Sequence, residues 1–290
     1  MWRAIVAAGG AFLGNNLVGL GVMAVTGSEA ATTFTTTNLF APVVEEILKG
    51  LAVFPVFIKF TQEFDSILDG IIYAGVTALG FAATENALYI YRDGFLSGGW
   101  QGFRSIAFVR IVLVGWQHPF YTAFTGIGLA IARLNRSKLV KIIALIIGLS
   151  LAILGHGIHN YLVTISQNAA GILITTAINW LGWLFMFVFI VVVLSVEQSN
   201  LKRYLEPEVD EDVITQSQFS TATSAFKIIG ARLSSIFKGH YGQTTRLYRK
   251  AAERAITKKH LDKHGEEDGN QETFEQLREE VRTLSQRLQN

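Results

Sequence analysis

The stretch Leu139–Ile165, LVKIIALIIGLSLAILGHGIHNYLVTI, contains one lysine near its start and no carboxylate. At about 1.5 Å per residue, a helix of this length exceeds the roughly 30 Å of hydrocarbon in a bilayer. The segment therefore reads as a transmembrane helix. Its imidazoles and amide, His156, His159 and Asn160, all fall near one end. Five further apolar runs of comparable character lie near residues 4–26, 42–60, 67–91, 107–132 and 172–196. The expected fold is an all-α membrane protein: a bundle of about six transmembrane helices over residues 1–197, then a partly helical cytoplasmic C-terminal tail over 198–290. Arg3 precedes the first run as in a signal peptide, but the run is longer than a normal h-region and has no clear cleavage site. It is read as a helix, with Gly10 and Gly14 at the small-xxx-small spacing that brings helices close together.

Composition agrees. Mean hydropathy is +0.34, half of the residues are hydrophobic and only 17% are charged, outside the range of ordinary soluble domains. A net charge of +2 without a basic face argues against nucleic acid as a partner. The absence of cysteine excludes disulfides, thiolate metal sites and a cysteine nucleophile.

Basic residues near the helix ends set an orientation. Arg3, Lys59, Arg133, Arg136, Lys138, Lys141, Lys202 and Arg203 fall on one side, and Arg92 and Arg104 on the other. Both termini are thus expected in the cytoplasm, with the 27–41 loop, the 92–106 loop and the 166–171 turn outside. In the tail, the acidic stretch from Glu206 to Asp212 looks like a linker. Phe226, Ile229, Leu233, Ile236 and Phe237 recur at helical spacing with Lys227, Arg232 and Lys238 among them. That segment reads equally as an ordinary amphipathic helix or as one lying on an anionic leaflet. Phe274, Leu277, Val281, Leu284 and Leu288 alternate three and four apart, a short coiled-coil pattern through which the tail can form a homo-oligomer.

The chemistry lies in polar residues inside the apolar runs: Glu45, Glu46, Glu85, His118, His156 and Asn160. On insertion scales an ionised group there costs roughly 2.5 to 3.5 kcal/mol, so such groups usually perform chemistry or carry ions. Counting from the helix ends places them in one layer of the outer half, contributed by four separate segments. Each also has a plain structural reading. Glu45 or Glu46 can serve a helix N-terminus with Lys49 neutralising the pair, His118 before Pro119 can satisfy a kink, and Arg110 can anchor headgroups or balance a carboxylate. His156 and Asn160 share a helix face, whereas His159 points away from it. Asp69, near the cytoplasmic boundary, is read as meeting either water or a helix start.

Peptide hydrolysis needs a base for water and donors for the oxyanion. A buried glutamate beside a second carboxylate can take the proton, and His and Asn can donate. Alternatively, two imidazoles and a carboxylate can hold zinc with a position open for water. HExxH and G-x-S-x-G are absent, and Asp69 is the only aspartate within an apolar run, so a two-aspartate dyad is unavailable.

The ordered segments Ala41-Pro42-Val43-Val44-Glu45-Glu46-Ile47-Leu48-Lys49-Gly50, Asp69-Gly70 with Gly80-Phe81-Ala82-Ala83-Thr84-Glu85-Asn86, Trp116-Gln117-His118-Pro119 and His156-Gly157-Ile158-His159-Asn160 resemble the PrsW intramembrane proteases. They are distantly similar to the group that includes type II CAAX prenyl endopeptidases. The resemblance covers roughly residues 41–160 and departs from the family at His159. It implies an endopeptidase of glutamic or metallo type that cuts single-pass membrane proteins, anti-sigma factors being the best-known example, near the extracytoplasmic side of a bacterial plasma membrane. Zinc is the cofactor it leaves open. The competing expectations are a proton- or cation-coupled transporter with a carboxylate–imidazole relay, and a silent scaffold acting through its tail.

Overall fold

The computed structural model describes residues 2–59, 64, 66–166, 168–265 and 270–289. Phe60, Gln167 and the side chain of Arg3, each part of a reading above, lie outside the described residues. Among those described there is no strand, as expected of an all-α membrane protein. Close contacts divide the chain into two compact units, Met1–Ile190 and Val191–Asn290.

Unit 1 contains α1 (Trp2–Thr26), α2 (Glu29–Thr35), α3 (Ala41–Lys59), α4 (Ile67–Tyr89), α5 (Leu96–Ala107), α6 (Gln117–Leu134), α7 (Lys138–Ile165) and α8 (Ala169–Asp210) as far as Ile190. Four described stretches are long and apolar enough to cross a membrane: Ile5–Thr26, Ile67–Leu134, Lys138–Ile165 and Ala169–Asp210. The second of these, at 68 residues, includes both α4 and α6. The remaining long helix of the expected six, α3, carries Glu45, Glu46 and Lys49 along its buried side.

The helices are apolar outward and small or polar inward. Along α7, Ala144, Gly148, Ala152 and His156 recur every fourth residue and are buried, while Ile143, Ile147, Leu151 and Leu154 are exposed. Water would make that surface unfavourable, and lipid tails make it neutral. Glycine sets the closest approach. A Cβ on Gly70 of α4 would lie 2.3 Å from the carbonyl oxygen of Gly126 on α6, and one on Gly148 of α7 would lie 2.6 Å from the oxygen of Phe124. Gly10 and Gly14 of α1 face Leu48 and Val44 side chains of α3, a looser contact.

Several boundaries differ from the sequence expectation. The 27–41 segment, expected as a loop, is largely helical: Ser28 caps α2 by accepting from Ala31 N at 3.2 Å, and a π-helical turn, Thr36–Phe40, runs into α3. The 92–106 segment is also helical, as a π-helical turn Ile90–Phe95 and then α5, with nonhelical backbone confined to Gly98 and Gly99. The 107–132 run breaks at Val114, so α6 begins at Gln117 and not at 107. Pro119 therefore stands in the first turn of α6, where its missing N–H is no loss, and His118 caps no kink. Asp69 is at a helix start: its Oδ2 accepts from Ser66 N at 2.9 Å and Ser66 Oγ accepts from Asp69 N at 3.2 Å.

In unit 2 the chain forms the end of α8, α9 (Gln216–Ala222), α10 (Ala225–Phe237), α11 (Tyr241–His264) and α12 (Asn270–Arg287). The acidic stretch read as a linker is helical to Asp210, because Glu208 is buried and accepts from Arg254 Nη2 at 2.6 Å. The apolar stripe of α12 packs within this unit, Val281 and Leu284 against Val213, Ile214 and Leu247.

Candidate active site

Four helices bring their polar residues to one place. The first turns of α3 carry Glu45, Glu46 and Lys49 at spacings that put all three on the buried side. Late in α4 comes Glu85, α6 opens with His118, and α7 carries His156 one turn before Asn160. The small residues between α4, α6 and α7 permit this convergence.

Glu46 and Lys49 are fully buried, each at 0% exposure. Glu46 Oε1 accepts from Lys49 Nζ at 2.7 Å and lies 3.0 Å from His156 Nδ1, while its Oε2 accepts from Thr122 Oγ1 at 2.9 Å. A carboxylate can only accept, so the His156 proton sits on Nδ1 and Nε2 presents a lone pair. That Nε2 is 3.9 Å from Glu45 Oε2. Lys49 Nζ also lies 2.8 Å from His118 Nδ1. An ammonium can only donate, which leaves the His118 proton on Nε2, 2.9 Å from Glu85 Oε2. Arg110 completes the wall: its Nη2 is 3.1 Å from Glu85 Oε2, its Nε donates to Asn86 Oδ1 at 2.7 Å, and its guanidinium covers the Tyr89 ring at 4.0 Å. Of the two roles open to Arg110, the structure shows the counter-ion.

Glu45 differs from its neighbour. One oxygen accepts from Asn15 Nδ2 of α1 at 3.4 Å. The other, Oε2, is buried with no hydrogen-bond partner among the described residues, although Lys49 Nζ stands 3.6 Å away. Both glutamates looked alike in sequence, but Glu45, Glu85, His118, His156, His159 and Asn160 line a cavity of about 670 Å³, and Glu46 does not. His159 turns to Asn179 of α8, at 3.1 Å, and Asn160 donates to the carbonyl of Thr37 at 2.9 Å.

The donor set also suits a metal. One ligand atom each from Glu45, His118 and His156 lies within 4.8 Å of the others. Two imidazoles and a carboxylate are a zinc-type set, and both imidazoles are backed by a second carboxylate, His156 by Glu46 and His118 by Glu85. The unsatisfied Glu45 oxygen fits such an ion, which on His118 Nδ1 would replace the contact from Lys49.

Sequence reasoning took Lys49 as a neutraliser of the glutamates and missed its link to His118. Thr122, Asn15 and Asn179 were also missed, and their signal was a polar side chain inside an apolar run.

The apolar helices thus define a multi-pass membrane protein whose buried carboxylate–imidazole centre opens into a cavity. Residues 1–195 match the family described as PrsW family intramembrane metalloprotease, and the chain belongs to that family. It is similar to the protein named Protease PrsW of Oceanobacillus iheyensis, 33% identical over 118 residues that cover 41% of this chain and 49% of that one. Protease PrsW of Clostridioides difficile is 26% identical over 169 residues, 57% of this chain and 62% of its own. That of Geobacillus kaustophilus is 32% identical over 88 residues, 30% and 35% respectively. The matches thus span less than two thirds of each of these relatives. No solved structure matches the chain.

Proposed function

We propose that this protein hydrolyses peptide bonds of membrane-anchored substrates, and that Glu45 takes the proton from the attacking water. What carries the reading is the buried, unsatisfied Oε2 of Glu45 at the cavity wall, 3.9 Å from the lone-pair nitrogen of His156. A water seated between these atoms would give one hydrogen to each acceptor. As its oxygen bonds to the carbonyl carbon, Glu45 takes one proton. The oxyanion then collapses, the C–N bond breaks, and the same proton passes to the departing amine. Asn160 lines the cavity, and the amide hydrogen it does not give to Thr37 is available to the developing oxyanion. Glu46 holds His156 in the required tautomer, and Glu85 with Arg110 does the same for His118.

Zinc assistance would take a different form: an ion held by Glu45, His118 and His156 would occupy the Glu45 oxygen and the His156 nitrogen that otherwise receive the water's hydrogens, and would supply Lewis acidity and a more acidic water. The donor chemistry described above and the family's description support that assistance. On the basis of the Lys/Arg distribution, we place the cavity on the extracytoplasmic side and both termini in the cytoplasm. The substrate class is then a single-pass membrane protein cut near its outer juxtamembrane end.

The test is Glu45→Gln in purified protein reconstituted with a single-pass reporter. Cleavage is expected to fall by roughly 10²- to 10⁴-fold, the span of a lost general base, with thermal unfolding little changed. Wild-type cleavage by that variant would overturn the assignment. Zinc content measured on the same preparations is expected to drop in His156→Ala.

A further inference from the structure

Helix α10 packs with its faces reversed. Its buried side holds Ser235, 1% exposed, with Ile228 and Ala231 partly covered. The opposite side carries Phe226, Ile229, Leu233, Ile236 and Phe237, with Phe226 89% and Phe237 91% exposed. An ordinary amphipathic helix would turn those five residues into its own domain. This one leaves all five exposed, Ile229, Leu233 and Ile236 at 54% to 56%, a face suited to an external apolar phase.

Charge identifies that phase. Residues 213–252 contain six Lys and Arg and no Asp or Glu. At 100° per residue, Lys227 and Lys238 fall on one flank of the apolar face and Arg232 on the other, the arrangement in which basic side chains reach up from a helix lying in a headgroup layer. A protein partner or a second copy of this chain gives no reason for acids to be excluded from both flanks. An anionic lipid surface does. The chain is an integral membrane protein whose apolar α8 stretch ends near Val196, only 29 residues before Ala225.

We propose that α10 is a membrane-surface anchor, its Phe226–Ile229–Leu233–Ile236–Phe237 face seated among anionic lipid headgroups. The anchor is separate from the site in unit 1 and stands whether or not that site is proteolytic.

Because the chain lacks cysteine, single labels can be placed cleanly. Full-length protein carrying Ile229→Cys or Leu233→Cys, each with an environment-sensitive fluorophore, would be reconstituted into vesicles of phosphatidylcholine with or without phosphatidylglycerol, using brominated acyl chains as quencher. Thr283→Cys on α12 serves as reference. Quenching at 229 and 233 but not at 283, present with phosphatidylglycerol and lost in its absence or in Lys227→Glu/Lys238→Glu, is the expected result. Labels that stay unquenched in every lipid overturn the proposal, as do labels showing only dipolar coupling between two chains, which would mark a second copy as the occupant. Equal quenching in neutral and anionic vesicles overturns it too. The lipid comparison needs no charge variant, so a misfolded Lys227→Glu/Lys238→Glu protein leaves the test intact.

Discussion

At the scale of single residues, the two adjacent glutamates divide their labour. Glu46 is closed on every side by Lys49, His156 and Thr122, whereas Glu45 keeps an oxygen for the cavity. Removing one partner of a buried ion pair costs about 3 to 5 kcal/mol, while replacing both with apolar groups is often neutral. Glu46→Gln should therefore lower thermal stability sharply, and Lys49, losing its partner at 2.7 Å, should swing to Glu45 at 3.6 Å and capture the free oxygen. Adding Lys49→Met should then cost less than it does beside an intact Glu46 but not restore full stability, because Glu45 and His118 Nδ1 lose the same ammonium. A double-mutant cycle by unfolding in detergent checks this, and simple additivity would show that the pair is not coupled. The sequence made the carboxylates, imidazoles and Asn160 visible because each stands out in an apolar run. It did not separate Glu45 from Glu46, since neighbours on one helix turn differ only in what the other helices bring to them: Asn15 to one, Thr122 to the other.

At the scale of elements, the site is only as good as the approach of α4 to α6. Glu85 and His118 meet at 2.9 Å because these helices touch backbone to backbone at Gly70 and Gly126. A Cβ on Gly126 would stand 2.1 Å from the Gly70 oxygen and 2.7 Å from Ala74 Cβ, so the helices must separate. Gly126→Ala is expected to destabilise by about 1 to 3 kcal/mol and to reduce cleavage with it. Gly75→Ala, on the same α4 with nothing described within 4 Å of the added carbon, should be neutral or gain up to about 1 kcal/mol of helix propensity. Equal unfolding temperatures for the two variants would remove the close-approach argument. Hydropathy made the long helices legible, since span length is a matter of composition. The segments 27–41 and 92–106 were read as loops because they fall between the apolar runs, yet their backbone is largely helical, with π-helical turns at Thr36–Phe40 and Ile90–Phe95. Near a membrane every N–H needs a partner, and continuing the helix provides one where a loop would not.

At the scale of the whole molecule, the two units are stabilised by different physics. Unit 1 is apolar on the outside and holds its buried charges in the site. Unit 2 has a water-soluble type of core, and its buried ion pair is structural: Arg254 donates to Glu208 at 2.6 Å and to the carbonyl of Phe274 at 2.6 Å, while its guanidinium lies 3.7 Å from the Phe274 ring. Neither Arg254 nor Glu208 borders the cavity, and every residue assigned to the reaction belongs to unit 1. Arg254→Ala leaves Glu208 buried without its nearest cation, a change of about 3 to 5 kcal/mol, enough to loosen a small helical domain whose total stability is of similar size. The full-length variant should become sensitive to trypsin at the Lys and Arg residues of α11 and α12, and its cleavage of the reporter in detergent, where no bilayer is present for α10 to engage, should stay near that of the wild type. If reporter cleavage instead falls in step with trypsin sensitivity, unit 2 is part of the catalytic unit and the assignment of the reaction to unit 1 alone is wrong.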